Sequence, residues 1–241
     1  MSERPFQPRP VVIPGQHEQQ LLRRVLRVAT GTSCIARIVL VDDASRYVAL
    51  VDSGPGEETV TSRRDTALHV VWAGDEAGAA IEVAVHGRLP VAPGDTLTVA
   101  AGVAWTYGPG LILCEAGGPA TAAGTGRIAG PTHGVETFDG YNRRTLCAIA
   151  PDFSLERWKI TQPLALAGDA VVVNLVEPMA LIWHGGVDLL GRGEARIVPP
   201  GVETVTLLPD GLGYALVLRS DPDIAALSRA FGAKALPEVT L

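Results

Sequence analysis

Five histidines, His17, His69, His86, His133 and His184, stand apart from one another in the 241-residue chain, and no two form a His-x-His pair. An imidazole moves protons or ligates metal near neutral pH, so each is weighed with the acidic and aromatic residues that its own strand or loop brings along. His69 lies in the apolar run Thr66 to Ala73, and Glu82, Trp105 and Glu115 lie in later runs of the same kind. Converging in one lumen, these four would suit a polar ligand such as a sugar, the indole offering a stacking face and the carboxylates accepting hydroxyl protons. Strand alternation could equally send either carboxylate to solvent. The densest polar segment, Thr132 to Thr145, carries His133, Glu136, Asp139, Tyr141, Asn142, Arg143 and Arg144. Arg143 or Arg144 could hold a phosphate through its planar fork of donors, and His133 with Glu136 could make an acid/base pair. A solvated linker explains the same composition.

Other chemistries find little support. Cys34, Cys114 and Cys147 are far apart, odd in number and in apolar surroundings, as in a reduced interior, so neither a disulfide framework nor a thiolate zinc site fits. The chain is acidic, with a net charge of −6, and 18 of its 20 basic residues are arginines scattered singly or in pairs, which argues against nucleic acid as a partner. Gly124-Thr125-Gly126 does not follow a strand and open a helix, so no dinucleotide fingerprint is supported. The richest apolar stretch, Ala170 to Trp183, is broken by Asn174, Glu177 and Pro178, so no membrane partner is expected. The first ten residues lack a basic start followed by an apolar core, and a cytoplasmic protein is expected.

The elements that must position these residues are strands. Twenty-seven Gly and 18 Pro break the chain too often for long helices. Runs of five to nine residues rich in Val, Ile, Leu and Thr, such as Arg46 to Asp52, Thr96 to Ala101, Phe153 to Ile160 and Tyr214 to Arg219, predict an all-β sandwich or barrel. Glu156, Arg157 and Lys159 alternate with Leu155 and Trp158 and are read as an outer face. Helix is predicted near each end, at Gln16 to Ala29, where Leu22 to Val28 could also be a strand, and at Asp221 to Phe231, where Asp-Pro is a start signal. The Gly-rich segment beginning at Gly117 divides the chain. The expected division is an N-terminal extension over 1–30, a first barrel over 31–116, a linker over 117–144, a second barrel over 145–220, and a helix and tail over 221–241.

The halves repeat one another. Val85-His86-Gly87, Gly94-Asp95 and Val99-Ala100-Ala101-Gly102 in the first answer to Trp183-His184-Gly185, Gly193-Glu194 and Val198-Pro199-Pro200-Gly201 in the second. Eight positions separate the Gly of each Gly-acid pair from the later Gly. This implies two copies of one β-domain, with His86 and His184 capping hairpins or acting at strand ends.

Gly-Asp, a short strand, then an Ala/Pro-Gly turn and another strand resembles the second conserved motif of the cupin superfamily, at Gly94 to Trp105 and at Gly193 to Thr204. The two-copy arrangement, the strand Pro151-Asp152-Phe153-Ser154-Leu155-Glu156-Arg157-Trp158 and the strand Gly110 to Glu115 look most like type I mannose-6-phosphate isomerases and their relatives. The resemblance implies two tandem jelly-roll barrels. It also implies where metal would be held, by two His and a Glu of the first motif and a His three residues after the Gly of the second. Here that last position is Trp105 in one copy and Thr204 in the other, so no cofactor is expected. Three functions follow. The favoured one is a metal-free bicupin that binds a sugar, a sugar phosphate or a similar small polar metabolite. The others are an active isomerase of the mannose-6-phosphate type, with a divalent metal on rearranged ligands, and a structural protein with filled barrels that forms a homodimer. The first barrel is expected to hold the ligand, and the second to have the more apolar, filled interior.

Overall fold

Alternating apolar residues give strands that bury one face, and sheets built this way must pack against each other to hide it. The computed structural model describes residues 7–9, 36–54, 58–73, 79–121 and 129–232. The chain divides into two units, one formed by Gln16–Gly134 and the other by Met1–Gly15 together with Val135–Leu241. In chain order come β1 (Gln7–Arg9), β2 (Ala36–Asp42), β3 (Tyr47–Asp52), β4 (Thr59–Thr61), β5 (Thr66–Ala73), β6 (Ala80–Val83) and β7 (Gly87–Pro90). Next are β8 (Thr96–Val99), β9 (Ala104–Tyr107), β10 (Leu111–Gly117), β11 (Ala129–Thr132), β12 (Val135–Asp139), β13 (Asn142–Ile149) and β14 (Phe153–Ile160). The rest are β15 (Leu164–Leu166), β16 (Ala170–Asn174), β17 (Met179–Trp183), β18 (Gly186–Leu190), β19 (Ala195–Val198), β20 (Val205–Pro209), β21 (Gly213–Ser220) and the helix α1 (Ile224–Phe231).

Each unit is a jelly roll of two antiparallel sheets. The first unit has the sheets β11-β8-β5-β10-β3-β2 and β4-β9-β6-β7, and the second has β1-β19-β16-β21-β14-β13-β12 and β15-β20-β17-β18. Strand for strand the orders match, with β12 added at one edge. The Gly-acid turns match atom for atom. Gly94 and Gly193 both take positive φ, +93° and +71°, which a glycine adopts without strain. The acid that follows each glycine closes its turn, Asp95 Oδ2 accepting from Ala92 N at 2.7 Å and Glu194 Oε2 from Gly191 N at 2.9 Å. Part of the segment read as a linker is strand. β11 completes the edge of the first unit against β8, while β12 and the start of β13 belong to the second.

In the first unit Leu68, Val70, Ile81, Val83, Trp105, Tyr107, Leu111 and Leu113 fill the space between the sheets. Trp158, Ile160, Val172, Leu181, Leu207 and Val217 do so in the second. The C-terminal helix forms as the Asp-Pro signal implies but starts later, at Ile224. Asp223 caps it, accepting from Ala226 N at 2.9 Å, and Leu227 and Phe231 pack beside Leu146. The helix expected over Gln16 to Ala29 lies outside the described residues. Among the described residues no helix is long and apolar enough to cross a membrane.

Candidate functional site

Cross-strand register decides which candidates share a face. On β10 and β5, Glu115 pairs with Leu68 and Cys114 pairs with His69, so Glu115 joins the core face and His69 lies on the other. His69 is buried there, its Nδ1 2.8 Å from Thr96 Oγ1. On β6, Ile81 and Val83 point inward opposite Tyr107 and Trp105, which leaves Glu82 exposed. Of the four candidates for the first lumen, only Trp105 and Glu115 converge. The structure thus corrects the expectation for His69 and Glu82, because a one-residue step along a strand reverses the side chain. Trp105 is also not the stacking platform expected. It is 1% exposed and packs edge-on to Tyr107, with ring centroids 6.4 Å apart.

Glu115 and its partners form the polar centre of the first unit. The carboxylate is 2% exposed. Its Oε1 accepts from Arg37 Nη2 at 2.9 Å and from the Tyr107 hydroxyl, and its Oε2 accepts from the Tyr47 hydroxyl at 3.0 Å. Burial, then the Glu115 charge, pushes both tyrosine hydroxyls well above their usual pKa. For Arg37, burial alone would lower the pKa, but the Glu115 carboxylate reverses this and leaves it raised. Arg37 Nε is buried with no hydrogen-bond partner among the described residues. A cavity of about 330 Å³ opens here, lined by Arg37, Tyr47, Trp105 and Glu115 with Asp42, Arg63 and Arg64. Arg64 is already engaged with Gly118 O at 2.7 Å and Asp42 Oδ1 at 3.1 Å.

The second unit repeats the arginine and relocates the acid. Arg144 on β13 stands opposite Trp158, as Arg37 on β2 stands opposite Val51. Its carboxylate partner is Glu156 on β14, fully buried, which accepts at Oε2 from Arg144 Nε at 2.9 Å, Arg144 Nη2 at 2.7 Å and Trp158 Nε1 at 2.8 Å. Arg219 Nε lies 3.6 Å from the other oxygen. Arg144 also stacks over Trp158 and Phe231, 5.0 and 5.4 Å from the ring centroids. Arg144, Glu156 and Arg219 line a cavity of about 600 Å³, so the second unit, though its core is apolar, keeps an open polar mouth. Reading Glu156 as an outer-face residue missed it, although it shares strand parity with Trp158, and that parity was the available signal.

The polar segment before β13 makes no acid/base pair. His133 is 73% exposed and pairs with Asp95 at 2.9 Å, while Glu136 pairs with Arg143 at 3.4 Å on an exposed surface. Arg144, rather than Arg143, faces the cavity. His86 and His184 are exposed in hairpin turns. Thr204 precedes β20 and is exposed, so the inward position answering to Trp105 is taken by Val205. Among the described residues no three His, Cys, Asp or Glu side chains gather as a metal-binding group. A divalent ion does not fit either donor set, because each buried carboxylate is already held by a permanently cationic guanidinium.

The two sheets of each unit, with these mouths, define the cupin fold. No family model matches the sequence, and no curated protein matches it. Among solved structures, the cupin 2 conserved barrel domain protein from Leptotrichia buccalis superposes with a TM-score of 0.56 at 14% identity, over 87% of this chain and 98% of that one. The mannose 6-phosphate isomerase from Bacillus subtilis gives 0.58 at 13%, over 74% and 76%. Salicylate 1,2-dioxygenase from Pseudoaminobacter salicylatoxidans, in a structure with gentisate, gives 0.58 at 12%, over 88% and 81%. At these identities the likeness is one of fold.

Proposed function

We propose that the protein is a bicupin that binds a small hydroxylated metabolite with an anionic group, a sugar phosphate being the class that fits, in the mouth of the first unit and without metal-dependent catalysis. The observation that carries this is Arg37. Glu115 fixes one end of its guanidinium, and its buried Nε has no hydrogen-bond partner among the described residues. The part of this guanidinium that the cavity leaves open, rather than the enclosed Nε, is what a ligand oxygen would meet. The lining sets three arginines against two carboxylates, which favours an anion, and about 330 Å³ is room for a sugar-sized molecule. The isomerase reading loses support because it needs a Lewis acid that these donors do not accommodate.

A second reading, barrels filled for stability alone, is favoured by the saturation of Glu115 with the chain's own donors. Titration calorimetry of the full chain with glucose, glucose 6-phosphate and mannose 6-phosphate separates the two. The proposal expects a sugar phosphate to bind and Arg37→Met to weaken it about tenfold or more. No binding of any of the three, or binding indifferent to Arg37→Met, leaves the filled barrel.

A further inference from the structure

The second unit holds an arrangement that the proposed function does not use. Two arginines, Arg144 and Arg219, share one fully buried carboxylate, Glu156, beside a cavity of about 600 Å³. Glu156 balances one positive charge and holds both guanidinium groups in place. Arg144 spends Nε and Nη2 on Glu156, and Arg219 spends Nη1 on Ala167 O at 2.5 Å. Arg144 Nη1 and Arg219 Nη2 have no hydrogen-bond partner among the described residues. Burial holds the Arg219 guanidinium below its usual pKa, and Glu156 does not fully offset the combined effect of burial and Arg144. Along the cavity lining Glu156 is fully buried, Arg144, Arg219 and Asp169 are half-buried, and Asp221 and Asp223 are exposed. Asp223 is occupied as the helix cap.

We propose that this cavity is a separate binding site for a small monoanionic carboxylate whose other end carries hydrogen-bond donors, as an α-amino acid or an α-hydroxy acid does. The carboxylate takes the outstanding arginine donors, and the ammonium or hydroxyl faces the aspartates nearer solvent. Planar guanidinium forks match a carboxylate well. A phosphate dianion fits poorly, since Glu156 already offsets one of the two arginines and the exposed aspartates at the rim repel a second negative charge while they suit an ammonium or hydroxyl. Titration calorimetry on the full chain with L-serine, L-lactate, inorganic phosphate and glucose tests this. Serine or lactate is expected to bind, to weaken by about tenfold in Arg219→Gln, and to be unchanged in Arg37→Met, whose arginine belongs to the first unit. Arg219→Lys, which keeps the charge and loses the fork, should fall between, and serves if thermal unfolding finds Arg219→Gln misfolded. Absence of binding by both serine and lactate at millimolar concentration, tighter binding of phosphate than of either in the Arg37→Met variant, or affinity indifferent to Arg219 would overturn the proposal.

Discussion

Replacing Glu115 by Gln changes one oxygen to an amide and tests whether the centre of the first unit is organised by charge. Three donors converge on this carboxylate, from Arg37, Tyr47 and Tyr107. The amide retains one acceptor and turns an NH₂ either toward the Arg37 guanidinium, which can only donate, or toward a tyrosine hydroxyl, which must turn round to accept, while Arg37 loses its counter-charge. A charge-assisted bond is worth about 1.5–3 kcal/mol, and breaking a buried pair on one side costs about 3–5 kcal/mol. Arg37 is 28% exposed and recovers part of its hydration, which puts the loss near the lower end, about 3 kcal/mol. For a unit of this size that is a fall in Tm on the order of 10–20 °C. Calorimetric unfolding gives the fall, and hydrogen exchange across β3 and β10 locates it. The double variant with Arg37→Met should cost less than the two single changes added together, with a coupling of about 1 kcal/mol or more. A Glu115→Gln loss below about 1 kcal/mol, or strict additivity with Arg37→Met, would refute the reasoning.

Tyr47 and Tyr107 have raised pKa values in the folded state, so their contribution is complete below the ordinary tyrosine pKa of about 10 and is lost only as pH rises through the higher folded value. Tyr47→Phe and Tyr107→Phe should therefore leave the 295 nm absorbance rise between about pH 9 and 11 unchanged while the fold persists. Asp43 behaves in the opposite sense. Burial alone would raise its pKa, but hydrogen bonds from Ser45 and Arg46 outweigh burial and hold it low, so its stabilisation is present above about pH 4 and fades as pH falls through the folded value. Asp43→Asn should cost about 1 kcal/mol at pH 7 and progressively less in acid, measured by urea unfolding at several pH values. A Cβ on Gly108 would meet Ala80 O at 2.5 Å, whereas one on Gly102, at φ +82°, meets nothing within 4 Å. Gly108→Ala should accordingly destabilise by about 2–3 kcal/mol, more than the roughly 1 kcal/mol of strain expected for Gly102→Ala. Asp223→Ala should raise exchange of the amides opening α1 and cost about 1 kcal/mol.

What the sequence made legible was the part written in backbone chemistry. Gly94-Asp95 and Gly193-Glu194 are legible because a tight turn needs a residue that tolerates positive φ and an acceptor for the exposed N–H, and few residue types supply both. The all-β class and the C-terminal helix came through on the same footing. Side-chain direction was far less visible. Glu82 and Glu115 both sit in strands, and nothing within either strand says which points inward; the answer comes from the residues facing them on other strands. The match of Trp105 with Thr204 failed by a single residue for the same reason, and a single residue exchanges an inward Val205 for an exposed Thr204. Glu156 was hidden by the rule that charged residues face water, which gives way when an arginine on the neighbouring strand supplies the counter-charge.

Strand β1 places an unusual demand on the order of folding. Gln7 pairs with Ile197 and Arg9 with Ala195, so the first described strand of the chain completes the sheet whose other strands are made after residue 134. During synthesis β1 is made first and has no strand to pair with until β19 is made, when most of the polypeptide exists. The first unit closes its corresponding edge with β11, about 30 residues after β8, and needs no such wait. The loop that β1 must close spans the entire first unit, and its entropic cost falls if that unit folds early and draws its ends together. One half of the repeat thus closes its sheet edge with strands made close together, while the other must bring together the first and nearly the last of its strands, with β1 an unpaired segment until then.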